Sequence, residues 1–211
     1  MSTVWTFGDS YTASYNPKYI WSNKYINWKG YQPKVHADFI GEFLNMDVKN
    51  VAVGGIDNYT IFESFCKNVK QIKENDILVF GWSGLHRFRL PNKNREWFTV
   101  LINTLSEEEI KLENIDYSYN TIKEIILNRD HELYVDEVNW WIYMIEHVMK
   151  PRRCVFWSPF KPTGKLKVLN FGEIETIKTE TNGLINDTHY SENGQKKLAE
   201  LIIQNLNGKL I

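Results

Sequence analysis

The stretch Thr6-Phe7-Gly8-Asp9-Ser10-Tyr11-Thr12 decides how the fold of this chain is interpreted. The apolar, aromatic and β-branched residues 4–7 predict a short buried strand. Gly8 ends that strand, and Asp9 and Ser10 fall where a strand gives way to a turn. In an open α/β sheet, a hydroxyl at the carboxyl end of a strand lies at the crevice where such folds bind ligands. Ser10 is therefore a candidate nucleophile.

A second segment near the carboxyl terminus supplies what a serine nucleophile needs, the run Asp187-Thr188-His189-Tyr190-Ser191-Glu192-Asn193-Gly194. A serine hydroxyl needs a base to take its proton, and that base needs an acid to orient it. Asp187 and His189 supply both from one predicted loop, and Ser191 is a good N-cap for the helix that follows. The order Ser, Asp, His is that of α/β hydrolases, although their Gly-x-Ser-x-Gly elbow is absent here.

Together, the two segments resemble the SGNH (GDSL) hydrolase superfamily, which comprises serine esterases and lipases. The resemblance spans the whole chain and implies a flavodoxin-like, three-layer α/β/α sandwich. It also implies that Ser10 is the nucleophile, His189 the general base and Asp187 the acid. Gly55, which ends the run Asn50-Val51-Ala52-Val53-Gly54-Gly55, would donate its backbone N–H to the oxyanion. Asp9, next to the nucleophile, is a further candidate for binding the oxyanion or the substrate.

The superfamily has four sequence blocks, and the third departs from the family pattern here, because Gly81-Trp82-Ser83-Gly84 stands where Gly-x-Asn-Asp is usual. The missing Asn would be an oxyanion donor, and losing one such donor costs about 3–4 kcal/mol in a serine hydrolase. Ser83 could donate instead, over a shorter reach. Asn58, three residues after Gly55, is a second candidate, although an Asn near a helix start is more often a cap.

The fourth block is also altered, because the position that usually holds the acid is Asn186, one residue before Asp187. Either Asp187 or a backbone carbonyl would therefore orient His189. The chain is expected to be a divergent member of the superfamily.

Two further features border the predicted site. Arg87, Arg89 and Arg95 could bind a carboxylate-bearing substrate or could form a solvated basic loop, and Arg87 is the strongest candidate for binding. Residues 11–32 are rich in aromatics without a clean period, which predicts a loop with at most one helical turn. Its aromatics could be a platform for a sugar or acyl group, or simple loop packing.

The remaining pattern predicts one domain, residues 1–211, with a central parallel sheet of about five strands. Residues 84–150 are predicted to be a helical insertion between strands three and four, partly a lid, with helices at 97–105, 119–127 and 136–149. A short edge strand is possible at 174–179. His36 is expected at the surface. No His or Cys spacing indicates a metal site, and no cofactor is expected.

Composition excludes several classes of protein. A net charge of −1 gives no electrostatic reason to expect nucleic acid. No apolar run approaches the roughly 18 residues that span a bilayer, and no signal peptide is recognisable, so a cytoplasmic protein is expected. The oligomeric state is not indicated.

These observations predict a serine esterase that acts through an acyl-enzyme on small or carbohydrate O-acyl esters such as acetyl esters. Two alternatives remain. A catalytically degenerate domain could bind glycans or serve in assembly. A flavodoxin-like protein could instead hold a flavin phosphate in the hydroxyl-rich turn at residues 10–14.

Overall fold

The computed structural model describes residues 2–94, 96–101, 106, 108, 110, 115, 117–128, 130–149, 153–161 and 165–208. The strands are β1 (Thr3–Gly8), β2 (Asp47–Asn50), β3 (Ile77–Gly81), β4 (Arg87–Pro91), β5 (Trp97–Leu101) and β6 (Arg153–Trp157). The helices are α1 (Ile20–Lys29), α2 (His36–Leu44), α3 (Asn58–Asn68), α4 (Tyr119–Leu127), α5 (His131–Val148), α6 (Ile177–Glu180) and α7 (Glu192–Gly208), with a 3₁₀ turn at Val69–Gln71.

A parallel sheet with the strand order β2-β1-β3-β6 lies between two layers of helices. The predicted three-layer α/β/α fold is thus confirmed, with four parallel strands in the described part of the chain instead of about five. Such a sheet is covered on both faces, which explains why β3 and nearly all of β1 are continuously buried.

Alternation along the strands divides the core into two clusters. On one face, Trp5 and Phe7 of β1 pack with Phe65 of α3 and with Trp141 and Ile145 of α5. On the other face, Val4 of β1, Val79 of β3 and Val155 of β6 pack against two helices. The helix residues in this cluster include Ile40 of α2 and Leu198 and Ile202 of α7. Successive side chains of a strand point to opposite faces, so β1, β3 and β6 each contribute to both clusters.

The register brings the carboxyl ends of the strands to one edge of the sheet. Gly8 of β1 pairs with Gly81 of β3, which pairs with Trp157 of β6. A Cβ at either glycine would lie 2.3 Å from Thr12 Oγ1, so only glycine allows the turn after β1 to fold so closely over the strand ends.

The segment between β3 and β6 contains the helix predicted at 119–127, which is α4, but it is not helical throughout. It begins with the antiparallel hairpin β4–β5, and the prediction of a helix from Trp97 is wrong, because Trp97–Leu101 is a strand paired with Arg87–Pro91. The aromatic and β-branched residues of this strand favour β structure once a partner strand is available.

The last helix of that segment, α5, is not a lid. It begins at His131, where Asp130 caps it, and its Val138, Trp141 and Ile142 are buried in the core. It is therefore one of the layer helices that cover the sheet.

Two other local predictions are wrong. Residues 11–32, expected to be mostly loop, contain the ten-residue helix α1, whose only buried residue is Tyr25. A helix that buries one side chain lacks the apolar stripe by which amphipathic helices are recognised. The possible edge strand at 174–179 is instead the short helix α6, capped by Thr176.

The N-cap predicted at Ser191 is confirmed, because its Oγ accepts the Gly194 N–H at 3.0 Å.

His36 was expected at the surface but is completely buried at the start of α2. Its Nδ1 lies 2.7 Å from Gln195 Oε1, which also accepts the His36 backbone N–H at 3.0 Å. Burial lowers the pKa of the imidazole to about 4, against a smaller opposing effect of the Gln195 hydrogen bond. The side chain is thus a neutral link between α2 and α7.

Within the described residues, none of the helices has the length and apolar character needed to cross a membrane.

Candidate active site

Ser10 lies in a turn that begins directly after β1 and is held by several hydrogen bonds. The N–H groups of Thr12 and Ala13 donate to the carbonyl oxygen of Asp9, at 3.0 and 2.9 Å. The amide of Asn50, at the end of β2, donates to the carbonyl oxygen of Thr12 at 2.9 Å. The turn is therefore tied to itself and to the neighbouring strand, which keeps Ser10 at the carboxyl edge of the sheet.

The imidazole of His189 lies between the Ser10 hydroxyl and the Asp187 carboxylate. Its Nε2 is 2.8 Å from Ser10 Oγ, and its Nδ1 is 2.6 Å from Asp187 Oδ1. The same Asp187 oxygen accepts the backbone N–H of His189 at 3.0 Å. The sequence left open whether Asp187 or a backbone carbonyl orients His189. In the structure, the Asp187 carboxylate is the group that lies at Nδ1 of the ring. The structure thus brings the three predicted residues together.

The environment of Asp187 favours its ionised form. Asp187 is 8% exposed, and burial alone would raise the pKa of its carboxyl group. The hydrogen bonds and charge of His189 outweigh burial and hold the pKa below its usual value. An ionised carboxylate in this position can stabilise a protonated imidazole.

The loop that carries His189 is fixed from three directions. The Tyr15 hydroxyl donates to the carbonyl oxygen of Tyr190 at 2.7 Å. The N–H of Ile177, at the start of α6, donates to the carbonyl oxygen of His189 at 2.8 Å. The Tyr11 ring packs against the imidazole with 4.6 Å between the ring centroids. None of these contacts was predicted, because each joins residues from separate segments of the chain.

Gly54 and Gly55 border Ser10 at the end of the next strand segment. The N–H of Val53 donates to the carbonyl oxygen of Gly8 at 3.1 Å, so this segment runs alongside the end of β1. A Cβ at Gly54 would lie 3.8 Å from Ser10 Cβ, and Gly55 has a φ of +84°, which favours glycine. The predicted oxyanion glycine therefore lies in the wall of the cavity beside Ser10.

Asn58 and Ser83, the two candidates for the missing oxyanion donor, bind each other instead. The Asn58 amide donates to the carbonyl oxygen of Ser83 at 3.0 Å and accepts the Ser83 N–H at 2.7 Å. Both residues are buried, and neither is among the described residues that line the Ser10 cavity. The cap of α3 is Asp57, which accepts the Thr60 N–H. The side chain of Asn58 thus holds the segment 81–84 in place by binding the backbone of Ser83.

Asp9 and Arg87, both predicted to bind the oxyanion or the substrate, are not among the described residues that line the Ser10 cavity either. Arg87 Nη1 lies 3.2 Å from Oδ2 of the completely buried Asp9, and the Arg87 side chain is about nine-tenths buried. Arg89 stacks on Tyr59 and Trp97, with its Cζ 3.2 and 4.1 Å from the two ring centroids. The expectations of a substrate-binding Arg87 and of a solvated basic loop are both wrong for these two residues. Arg95 lies outside the described residues.

A cavity of about 260 Å³ adjoins Ser10. One wall comes from α1 and the residue before it, where Trp21 and Tyr19 are 46% and 53% exposed. The high aromatic content of residues 11–32 was the only sequence signal of this wall. The described residues that line the cavity are Ser10, Ala13, Ser14, Tyr15, Tyr19, Trp21, Ser22, Gly54, Gly55, Ile177, Asp187 and His189.

No known family profile matches this chain. No curated protein matches it either. Among solved structures, the chain is similar to a protein provisionally assigned as a lipolytic protein of the G-D-S-L family from Desulfitobacterium hafniense DCB-2. The identity is 11%, the TM-score is 0.40, and the match covers 98% of this chain and 99% of that one. It is also similar to the lipase/acylhydrolase from Enterococcus faecalis, with 15% identity, a TM-score of 0.37 and coverage of 99% and 97%. Likenesses of this degree carry no information about reaction or substrate.

Proposed function

We propose that this protein is a serine ester hydrolase that acts through an acyl-enzyme. The observation that carries the proposal is the hydrogen-bonded chain from Ser10 Oγ through His189 to the buried Asp187 carboxylate, over 2.8 and 2.6 Å. A serine with a base within hydrogen-bond reach, and that base oriented by an acid, is the arrangement that activates a hydroxyl for acyl transfer.

In the first half-reaction, His189 Nε2 takes the proton of Ser10 as Oγ attacks the ester carbonyl. The N–H groups of Ser10 and Gly55 hold the negatively charged oxygen of the tetrahedral intermediate. The intermediate collapses as His189 returns the proton to the leaving alcohol, which leaves an acylated Ser10. Asp187 keeps the imidazole in the correct orientation and stabilises its protonated form throughout.

In the second half-reaction, His189 takes a proton from water, which attacks the acyl-enzyme carbonyl. The second intermediate collapses, His189 returns the proton to Ser10 Oγ, and the carboxylic acid leaves.

The substrate class we propose is a small ester, with O-acetyl groups on carbohydrates as the first candidates. Two observations support it. The cavity beside Ser10 is small, about 260 Å³. The exposed rings of Tyr19 and Trp21 at its wall offer flat apolar faces of the kind on which a sugar ring can pack.

Ser10→Ala tests the proposal. The variant is expected to lose at least about a thousandfold in kcat on p-nitrophenyl acetate, because the nucleophile is removed. The wild-type protein is expected to be labelled at Ser10 by a fluorophosphonate, and Ser10→Ala is not. Ser14→Ala, which removes a hydroxyl from the same cavity, is the matched control and should retain wild-type turnover. An unlabelled wild-type protein would contradict the proposal and would favour a glycan-binding domain.

A further inference from the structure

A buried ion pair lies directly behind the candidate nucleophile. Asp9 is completely buried, and its Oδ2 is 3.2 Å from Nη1 of Arg87. Its other oxygen, Oδ1, accepts the backbone N–H of Tyr11 at 3.0 Å. The Asp9 carboxylate therefore braces the turn on both sides of Ser10, and Arg87 supplies its counter-charge.

The same guanidinium nitrogen also contacts the second segment of the site. Arg87 Nη1 donates to the carbonyl oxygen of Ile56 at 3.2 Å, and Ile56 follows Gly55 directly. One nitrogen thus bridges the turn that carries Ser10 and the loop that carries Gly55. Arg87 itself comes from neither segment, since it begins the β4–β5 hairpin.

We propose that Arg87 is a positioning residue, which aligns the Ser10 turn with the Gly55 loop and neutralises the Asp9 carboxylate. The inference rests on the proposed function. An oxyanion site made of N–H groups from two separate segments is effective only when those segments keep a fixed distance.

The charge of Arg87 matters for a second reason. An unpaired carboxylate next to Ser10 would repel the negative charge that develops on the substrate oxygen during attack. In a buried site this repulsion is screened far less than in water. Arg87 cancels it, and removing Arg87 would leave the Asp9 charge buried without a partner.

Arg87 is expected to act on the reaction and not on substrate binding. It is not among the described residues that line the Ser10 cavity, and instead lines a separate cavity of about 300 Å³ with Arg89 and Tyr59. A group that touches Asp9 and Ile56 but not the substrate should change kcat and leave KM nearly unchanged.

The test compares Arg87→Met, Arg87→Lys and the double variant Asp9→Asn with Arg87→Met. For Arg87→Met we expect kcat on p-nitrophenyl acetate to fall about 10- to 100-fold, with KM within about twofold and a matching loss in the rate of fluorophosphonate labelling. Arg87→Lys, which keeps the charge, should retain most of kcat. The double variant should recover part of the loss, since its Asn keeps an acceptor for the Tyr11 N–H without the charge.

Arg89→Met is the matched control, because Arg89 belongs to the same hairpin but stacks on Tyr59 and Trp97. It should retain wild-type kcat. Wild-type kcat in Arg87→Met would overturn the inference while labelling of the wild type upholds the proposed function. If Arg87→Met does not fold, the double variant decides: kcat about tenfold below wild type supports the inference, and wild-type kcat overturns it.

Discussion

The substitution Asp187→Asn tests whether the carboxylate two residues before His189 is the acid of the site. The wild-type Asp187 Oδ1 accepts both the ring and the backbone N–H of His189, at 2.6 and 3.0 Å. An Asn oxygen could still accept both, but the charge opposite the protonated imidazole would be gone. At 2.6 Å and an effective dielectric constant of about 20, that attraction amounts to roughly 6 kcal/mol.

The net effect should be smaller, because the His189 side chain is 35% exposed and water screens part of the interaction. About 3–5 kcal/mol remains, which corresponds to a loss of roughly 10²–10⁴ in kcat. KM should be nearly unchanged, because Asp187 acts on the imidazole. Initial rates on p-nitrophenyl acetate between pH 6 and 9 provide the measurement.

Asn186→Ala is the natural control, since Asn186 directly precedes Asp187 in the same loop. Its side chain is exposed, so kcat should stay within about threefold of wild type. If Asp187→Asn retains wild-type kcat, or if Asn186→Ala is the more harmful change, another group orients His189 and the reasoning is wrong.

Two further predictions concern stability. The pKa of buried His36 is about 4, whereas an unfolded histidine titrates near 6.5, so the unfolded chain binds the proton more readily. The free energy of unfolding should therefore be greatest above about pH 6.5 and fall by about 2 kcal/mol between pH 7.5 and 5, measured by urea denaturation. His36→Leu should lack this slope, and the same slope in the variant would contradict the assignment. Asn58→Ala leaves the buried N–H and C=O of Ser83 unpaired and should cost about 2–4 kcal/mol. A cost below about 1 kcal/mol would show that water replaces the amide.

Several parts of the fold were predictable because they depend on local pattern. The apolar runs that form β1 and β3 indicate strands buried on both faces wherever they occur in a parallel sheet. The last helix, α7, carries its own start signal in Ser191 and an apolar stripe behind it. The β4–β5 hairpin was missed since each strand is stabilised mainly by its partner, and α1 was missed since it buries a single side chain.

The sequence by itself determined the buried strands β1 and β3, the last helix α7, and the three residues whose chemistry suits acyl transfer. Those features follow from residue type and spacing within short segments. Only the tertiary structure decided that Asp187 and not a backbone carbonyl lies at the ring of His189, that Asn58 holds Ser83, and that Arg87 pairs with Asp9. Each of these depends on a distance of about 3 Å between atoms that the folded backbone brings together, and no local pattern specifies such a distance.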